Sequence, residues 1–282
     1  MGSRKSVCII IRVYSRIEDL VCNLEIIRKT WTSNDYYIIV SGNGKEDGYK
    51  IPEIVSTLAN KVLESENNDG HYNGNAQLIL NSILYIPKNC EYTILLESDT
   101  WLHSDILISD YLEKMDKSSA VWSSARWFYR LCSNATDFAI VNTEFLISNS
   151  QIVDFKYLPE CWVSNFLTDN NIKYLYINEL KPVQLPVYVK SFPYAPKGRF
   201  YTFPKAQMVT HHIEDLVEGM KEKKYYFNLI SGLNFFEADY SKNNYLEMFK
   251  IKLFRLLACL IPGNIFVSNH RRYKAAQNLT IS

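Results

Sequence analysis

Several patterns are missing from this chain of 282 residues, and each absence removes a class of protein. Its six cysteines show no C-x-x-C spacing, which supports neither a zinc ribbon nor a thioredoxin-like motif and favours a reduced, cytosolic compartment. The uninterrupted apolar run at 256–261 is far too short to span a bilayer, and the N-terminus has too little apolar length for a signal peptide. A net charge of +1 argues against nucleic acid as a partner, because phosphate binding normally demands a basic domain.

Common nucleotide-binding and hydrolase motifs are also missing. Gly42 and Gly44 open a G-x-G-x-x-G pattern, but its third position is occupied by Asp47. The chain has no Walker A sequence, no G-x-S-x-G elbow and no clear Cys/His pair. Most common activities of an α/β enzyme are thereby excluded.

What is present is the composition of a folded globular protein, with 47% hydrophobic and 22% charged residues. The first half alternates apolar runs of strand length with segments of helical periodicity, and this order predicts a doubly wound, mostly parallel sheet flanked by helices. The predicted strands are 7–13, 36–40, 61–65 and 92–97, and the predicted helices begin at 17, 52 and 75. In the second half, strands are predicted over 119–124, 137–148 and 172–177, with a helix from Pro159.

The strand at 92–97 ends abruptly in Glu97-Ser98-Asp99. Ligands of an open α/β sheet bind beyond the carboxyl ends of its strands. Two carboxylates at that edge suit Mg2+ or Mn2+, and such sites usually share the ion with a substrate diphosphate. The alternative is an ordinary strand end with solvated acids.

Taken in order, these features resemble the nucleotide-sugar-binding half of the GT-A glycosyltransferases, loosely those of family 2. The first strand is followed by a polar turn and helix, and the second opens into the loop at Ser41. The polar segment 67–76 leads into a helix like the family's N-x-G-x-x-x-A element, and Glu97-Ser98-Asp99 stands in the position of its D-x-D motif. The first acid is Glu rather than Asp, so Asp99 is the expected metal ligand.

The resemblance implies a nucleoside diphosphate sugar as donor, with UDP-sugar favoured, and Mn2+ or Mg2+ as cofactor. It also implies His211, after the catalytic core, as a further metal ligand. The alternative for His211 is a surface helix start with Thr210 as its N-cap. The residues expected on the donor side are Arg12, Tyr14, Ser41, Asn73, Asn75, Glu97 and Ser98.

A catalytic base is implied at the start of the helix that follows Pro159. There the family carries an acid that faces the acceptor hydroxyl in inverting enzymes, and Glu160 matches it, although Cys161 replaces a usual second acid. A helix-capping role for Glu160 is the alternative, and Asp154 is a nearby competitor for the role of base.

The C-terminal segment differs in charge from the rest of the chain. Residues 242–282 carry seven Lys or Arg and one acid, Glu247. We divide the chain into a GT-A-like catalytic domain over 1–235 and a basic amphipathic extension over 236–282. The extension suits the surface of an anionic membrane, and the alternative is a terminal helix packed on the domain or on a second subunit.

The sequence therefore predicts a metal-dependent glycosyltransferase, with inversion favoured. It would act on a glycan or lipid-linked acceptor in bacterial surface polysaccharide synthesis, in the cytoplasm or on the inner face of the cell membrane. Two rivals stay open. One is a non-catalytic sugar- or nucleotide-binding partner with a degenerate site, and the other is a sugar nucleotidyltransferase, which shares the sheet but usually shows a Gly-rich basic loop after its first strand.

Overall fold

The computed structural model describes residues 4–126, 134–180, 200–211, 213–237 and 240–260. A sheet of seven strands forms its centre, in the order β3-β2-β1-β4-β7-β6-β8. These strands are β1 (Ser6–Val13), β2 (Asp35–Gly42), β3 (Lys61–Glu64), β4 (Tyr92–Glu97), β6 (Trp122–Arg126), β7 (Asn134–Asn142) and β8 (Tyr174–Tyr176). A second, three-stranded sheet is formed by β5 (Trp101–Leu102), β9 (Tyr201–Phe203) and β10 (Met208–Thr210).

Strands β1 to β4 run parallel to one another, as the alternation of strands and helices predicts. Strand β7 reverses direction and pairs antiparallel with both β4 and β6, while β8 is parallel to β6. The prediction of a mostly parallel sheet is confirmed. The reversal matters for the site, because it brings the start of β7 beside the end of β4.

Successive side chains of the central strands point to opposite faces of the seven-stranded sheet and are buried on both. Helices therefore cover both faces. In β1, Ile9 and Ile11 face one cluster of buried residues, and Cys8 and Ile10 face another. The described helices are α1 (Ile17–Thr30), α2 (Ile54–Leu58), α3 (His71–Ile83), α4 (Ile106–Ser118), α5 (Thr143–Ser148), α6 (Pro159–Asp169), α7 (Met220–Ser231) and α8 (Asn244–Leu260). Helices α1, α2 and α4 pack on the first face, and α3, α5 and α6 on the second.

The small sheet joins the C-terminal part of the domain to the N-terminal part. Trp101 of β5 and Val209 of β10 pack with Ile26 of α1 and Phe227 of α7 in a separate apolar cluster. The Trp101 indole donates a hydrogen bond to the carbonyl oxygen of Asp19 at 3.2 Å. Helix α7, late in the chain, is thereby packed beside the first helix.

Two predicted boundaries differ from the structure by four residues or more. The strand predicted over 137–148 covers 134–142 instead, and a helix follows it because the Asn142 side chain accepts a hydrogen bond from the Phe145 backbone N–H at 2.9 Å and caps α5. Helix α3 begins at His71, four residues before its predicted start at Asn75. The earlier start places Asn73 and Asn75 within the first turns of the helix.

Helix α8 has one face on the domain and one face in solvent. On the inner face Phe254 is buried, and Glu247 accepts a hydrogen bond from the Tyr226 hydroxyl at 3.1 Å. The outer face carries the exposed Lys252 and five exposed apolar residues, Tyr245, Leu246, Phe249, Leu253 and Leu256. Within the described residues, no helix combines the length and apolar character that crossing a bilayer requires. The rest of the basic extension, 261–282, lies outside the described residues.

Candidate functional site

Three of the residues expected on the donor side stand in one row at the carboxyl edge of the sheet. The register pairs Arg12 of β1 with Ser41 of β2 on one side and with Glu97 of β4 on the other. Arg12 and Ser41 are buried, whereas Glu97 is half-buried. The parallel strands thus bring together side chains that are up to 85 residues apart, at the edge where ligands of such sheets bind.

The loop that follows β4 is short and firmly bonded. The backbone N–H of Ser98 donates to the carbonyl oxygen of Arg12 at 3.0 Å, and that of Thr100 donates to the carbonyl of Glu97 at 3.0 Å. The Thr100 hydroxyl lies 2.7 Å from the hydroxyl of Thr210 at the end of β10. Asp99, between them, is only 6% exposed. The carboxylate predicted to bind metal is therefore held between the two sheets.

His211 enters the site from β10. Its backbone adopts the left-handed conformation, with φ of 74°, which turns the chain sharply after the strand. Its Nδ1 lies 3.3 Å from the Thr210 hydroxyl, so the ring is oriented by its neighbour. The alternative of a helix with Thr210 as N-cap is wrong, because Thr210 ends a strand and the next helical segment is a 3-10 turn at Ile213–Asp215.

Ligand atoms of Glu97, Asp99 and His211 all lie within 4.8 Å of one another. Two carboxylates and an imidazole at this spacing fit around one divalent cation, because oxygen ligands suit Mg2+ and Mn2+ and an imidazole suits transition metals. His212, which neighbours His211 in the sequence, lies outside the described residues.

Asp137 is a third acidic residue of this cluster, and the sequence did not reveal it. Continuing the antiparallel register of β4 and β7 by one position places it opposite Glu97. Its Oδ2 lies 3.8 Å from Nε2 of His211 and 3.4 Å from the Thr210 hydroxyl. Burial raises the pKa of Asp137 to about 8, and the carboxylates of Glu97, Glu160 and Asp99 add to the shift.

The guanidinium of Arg12 is a buried positive charge beside these acids. It donates to Oδ1 of Asn75 at 2.5 Å and to the backbone carbonyl of Thr136, and it lies 3.6 Å from Oε1 of Glu97. Burial lowers the pKa of Arg12, while the carboxylates of Glu97 and Asp137 oppose that shift. Arg12 thus joins the start of α3, the start of β7 and the end of β4.

Glu160 lies in the first turn of α6, where the resemblance places the catalytic base. Its charge acts on Arg12 and on Asp137, so its carboxylate belongs to the same electrostatic cluster. The competing Asp154 forms an exposed ion pair with Lys156 at 2.7 Å. The surroundings therefore favour Glu160 over Asp154 as a residue of this site.

Of the other expected donor-side residues, Ser98 is buried, whereas Tyr14 and Asn73 are exposed. Tyr14 follows β1 with 41% of its surface exposed, donates to Asp47 at 2.9 Å and packs edge-on against Tyr49 with ring centroids 5.4 Å apart. The turn after β2 approaches it so closely that a Cβ at Gly44 would lie 2.2 Å from the Tyr14 carbonyl oxygen. Asn73 is exposed on the first turn of α3.

Two further buried residues of the site give little signal in the sequence. Asn23, on α1, donates its side-chain amide to the carbonyls of Ser98 and Thr100, and Lys223, on α7, donates to the carbonyl of Asp99. Lys223 stands in the run Lys221–Lys224, which is typical of a solvated helix face. Asp137 had a weak signal, since it directly precedes the apolar run 138–141.

The fold is similar to those of solved glycosyltransferases. A mannosyltransferase from Pyrobaculum calidifontis in complex with GDP-Man and Mn2+ matches with a TM-score of 0.51 and 10% identity, over 99% of this chain and 84% of that chain. S. aureus TarS matches with a TM-score of 0.47 and 11% identity, over 87% of this chain and 41% of that chain. The catalytic domain of Drosophila β1,4-galactosyltransferase 7, complexed with xylobiose, matches with a TM-score of 0.40 and 11% identity, over 63% of this chain and 66% of that chain.

No protein-family model matches the chain, and no curated protein matches it in sequence. The similarity is therefore one of fold. Together with the strand order, the mannosyltransferase comparison confirms the predicted GT-A-like architecture.

Replacing Asp99 with Asn should abolish tight binding of Mn2+, because the amide keeps the size of the side chain and removes the charge that balances the cation. Removing a residue that hydrogen-bonds to a metal ligand already lowers metal affinity about 10–100-fold. Removing the charge of a ligand itself should therefore lower Mn2+ affinity by at least about 100-fold. Titration calorimetry with Mn2+ alone measures it. Asp110→Asn, on the exposed surface of α4, is the matched control, and equal Mn2+ affinity in both variants would reject Asp99 as a ligand.

The buried acid cluster also makes stability depend on pH. The pKa of Asp137 is raised from 3.8 to about 8, so the folded state holds a proton that the unfolded state releases. In EDTA, its contribution to the free energy of unfolding is complete below pH about 4 and is lost as pH rises to about 8. Melting temperatures of wild type and Asp137→Asn across this range should therefore converge on the acid side and diverge in favour of the variant on the alkaline side. A difference that is independent of pH would contradict the assignment.

Proposed function

We propose that this protein is a glycosyltransferase, which transfers a sugar from a nucleoside diphosphate sugar to an acceptor hydroxyl. The observation that carries the proposal is the cluster of Glu97, Asp99 and His211 at the carboxyl edge of the central strands of a GT-A-like fold. A donor diphosphate is itself anionic, so two carboxylates at its binding site require a cation between them and the phosphates. The acid cluster and the proposed substrate together therefore favour a metal site.

The proposed cofactor is Mn2+ or Mg2+, held by Asp99 and His211 and assisted by Glu97. The mannosyltransferase from Pyrobaculum calidifontis was solved in complex with GDP-Man and Mn2+, which supports this choice for a similar fold. When bound, the cation supplies the positive charge that stabilises the leaving diphosphate. The imidazole of His211 favours Mn2+ over Mg2+, since nitrogen ligands suit transition metals.

On the donor side, we propose that Arg12, Tyr14, Ser41, Asn73, Asn75, Glu97 and Ser98 bind the nucleotide sugar. The Tyr14 and Tyr49 rings offer a half-exposed aromatic surface for a base beside the first strand. Arg12 is bonded to Asn75, so it holds the start of α3 against the strand edge where the diphosphate would lie. UDP-sugar is the proposed donor, and GDP-sugars are the necessary competitors in a donor screen.

The proposed catalytic residue is Glu160. An acceptor hydroxyl has a high pKa, so attack on the anomeric carbon benefits from a carboxylate that takes its proton as the bond forms. As the hydroxyl oxygen bonds to that carbon, the bond from the carbon to the nucleoside diphosphate breaks, and the proton ends on Glu160. Direct displacement from the opposite side inverts the anomeric centre.

Glu160→Gln should lower the transfer rate by about 10²–10⁴-fold, which is the usual contribution of general base catalysis. The amide keeps shape and hydrogen bonding, so donor affinity should be nearly unchanged. Single-turnover transfer and donor binding are measured separately, with Glu144→Gln, on the exposed face of α5, as matched control. A loss of donor binding would move Glu160 to the nucleotide side, and unchanged transfer would leave it as a helix cap.

Donor hydrolysis with and without Mn2+ separates this proposal from its rivals. A metal-stimulated release of free sugar supports a transferase acting on water in place of its acceptor. Binding without turnover would indicate a non-catalytic sugar- or nucleotide-binding partner. Release of pyrophosphate from a sugar phosphate and a nucleoside triphosphate would indicate a sugar nucleotidyltransferase.

The proposed acceptor is a glycan or a lipid-linked oligosaccharide of a bacterial surface polysaccharide, reached from the cytoplasmic face of the membrane. The division into a catalytic domain (1–235) and a basic extension (236–282) is part of this proposal. Its support is the outer face of α8, where five apolar side chains are exposed, next to the exposed Lys252. Apolar side chains bordered by basic ones suit the headgroup region of an anionic bilayer.

Phe249→Glu combined with Leu256→Glu should release the protein from vesicles that contain phosphatidylserine. Burying each of these side chains contributes about 1.5–3 kcal/mol, so membrane partitioning should fall well over tenfold. Co-sedimentation measures it, and Leu84→Glu, at a still more exposed apolar position outside α8, is the control. Equal vesicle binding of all three proteins would reject the membrane surface, and dissociation of a dimer by the double variant would identify a second subunit as the partner instead.

A further inference from the structure

Lys223 is a fully buried lysine whose ammonium group lies between the first helix and the loop after β4. Its Nζ is 2.5 Å from Oδ1 of Asp19, which is 1% exposed, and 2.6 Å from the carbonyl oxygen of Asp99. The same ammonium lies 4.4 Å from the centre of the Trp101 ring. Lysine is almost never fully buried unless it is paired. Its three partners here account for the burial, and one of them belongs to the backbone of the proposed metal ligand.

Side chains from two helices bind the successive carbonyl groups of this loop. Asn23, also fully buried, donates to the carbonyls of Ser98 and Thr100 at 3.2 and 2.9 Å. Lys223 binds the carbonyl between them, that of Asp99. The carbonyls of three consecutive residues are therefore occupied by side chains of α1 and α7, while the Ser98 N–H is bonded to β1. Such a loop has little freedom to rotate its peptide planes.

We propose that Lys223 is a positioning residue for the cation site. By bonding the Asp99 carbonyl, it sets the orientation of the peptide that carries the Asp99 carboxylate, and thereby the distance of that carboxylate from Glu97 and His211. Asp19 orients Lys223 and balances its charge, so the ammonium does not repel a cation bound a few ångströms away. The inference rests on the cation site proposed above, and it does not depend on which group is transferred.

A structural role alone and a positioning role make different predictions for variants of this pair. Lys223→Met removes the donor to the Asp99 carbonyl and leaves Asp19 buried without its partner, so both stability and cation affinity should fall. Replacing both members of a buried ion pair by apolar residues is often neutral or stabilising. The double variant Asp19→Leu/Lys223→Met should therefore recover the melting temperature but not the cation affinity.

The experiment is titration of the full chain with Mn2+ alone, by calorimetry or by the paramagnetic resonance signal of free Mn2+, beside thermal unfolding in EDTA. We expect Mn2+ affinity about tenfold or more below wild type in Lys223→Met and in the double variant. Effects of that size are typical of residues that orient metal ligands. Lys242→Met is the matched control. Lys242 pairs with Glu222 of α7, the helix that also carries Lys223, and makes no described contact with the loop.

Wild-type affinity in the folded double variant would overturn the inference and leave the pair a packing feature. If the single variant does not fold, the double variant alone decides. A wild-type protein that binds no Mn2+ would overturn the cation site and this inference together. A wild-type protein that binds Mn2+ but transfers no sugar would overturn only the proposed reaction, so the two failures are distinguishable.

Discussion

The arrangement of the site depends on an excess of negative charge in a confined space. Glu97, Asp99 and Asp137 meet at the edge of the sheet, Glu160 acts on Asp137 from α6, and the guanidinium of Arg12 lies beside Glu97. Burial raises the pKa of Asp137 to about 8, and the neighbouring charges of Glu97, Glu160 and Asp99 add to the shift. Such a cluster is stable only if it retains protons or receives a cation.

The strand order explains how the charges come together. Strands β1 and β4 lie side by side at the centre of the sheet, so their carboxyl ends deliver Arg12 and Glu97 to one point. Strand β7 runs the other way and delivers Asp137 from its beginning rather than its end. Strand β10, in the second sheet, contributes His211 through a left-handed turn. A purely parallel sheet would lack the acid contributed by β7.

Much of the first half could be predicted from the sequence because its signals are local. Apolar runs of strand length end in polar residues, and Glu97-Ser98-Asp99 follows one of them directly. What could not be predicted depends on pairing between distant segments. Asp137 belongs to the site only because β7 is antiparallel to β4, and Lys223 is buried only because α7 packs on α1. In the sequence, neither Asp137 nor Lys223 has a neighbouring residue that indicates which distant segment it contacts.

The contact between Asp19 and Lys223 also has a consequence for the order of folding. The two residues are 204 positions apart, so the contact closes one of the largest loops among the described contacts. Parallel pairing of the first four strands requires only the first third of the chain, whereas this contact must wait for the synthesis of α7. Contacts of high sequence separation form late, because their loop entropy is lost before they contribute stability. A nascent chain therefore acquires its sheet well before it acquires an ordered acidic loop, and chains cut short before residue 223 would retain the acids of β4 without the geometry that aligns them.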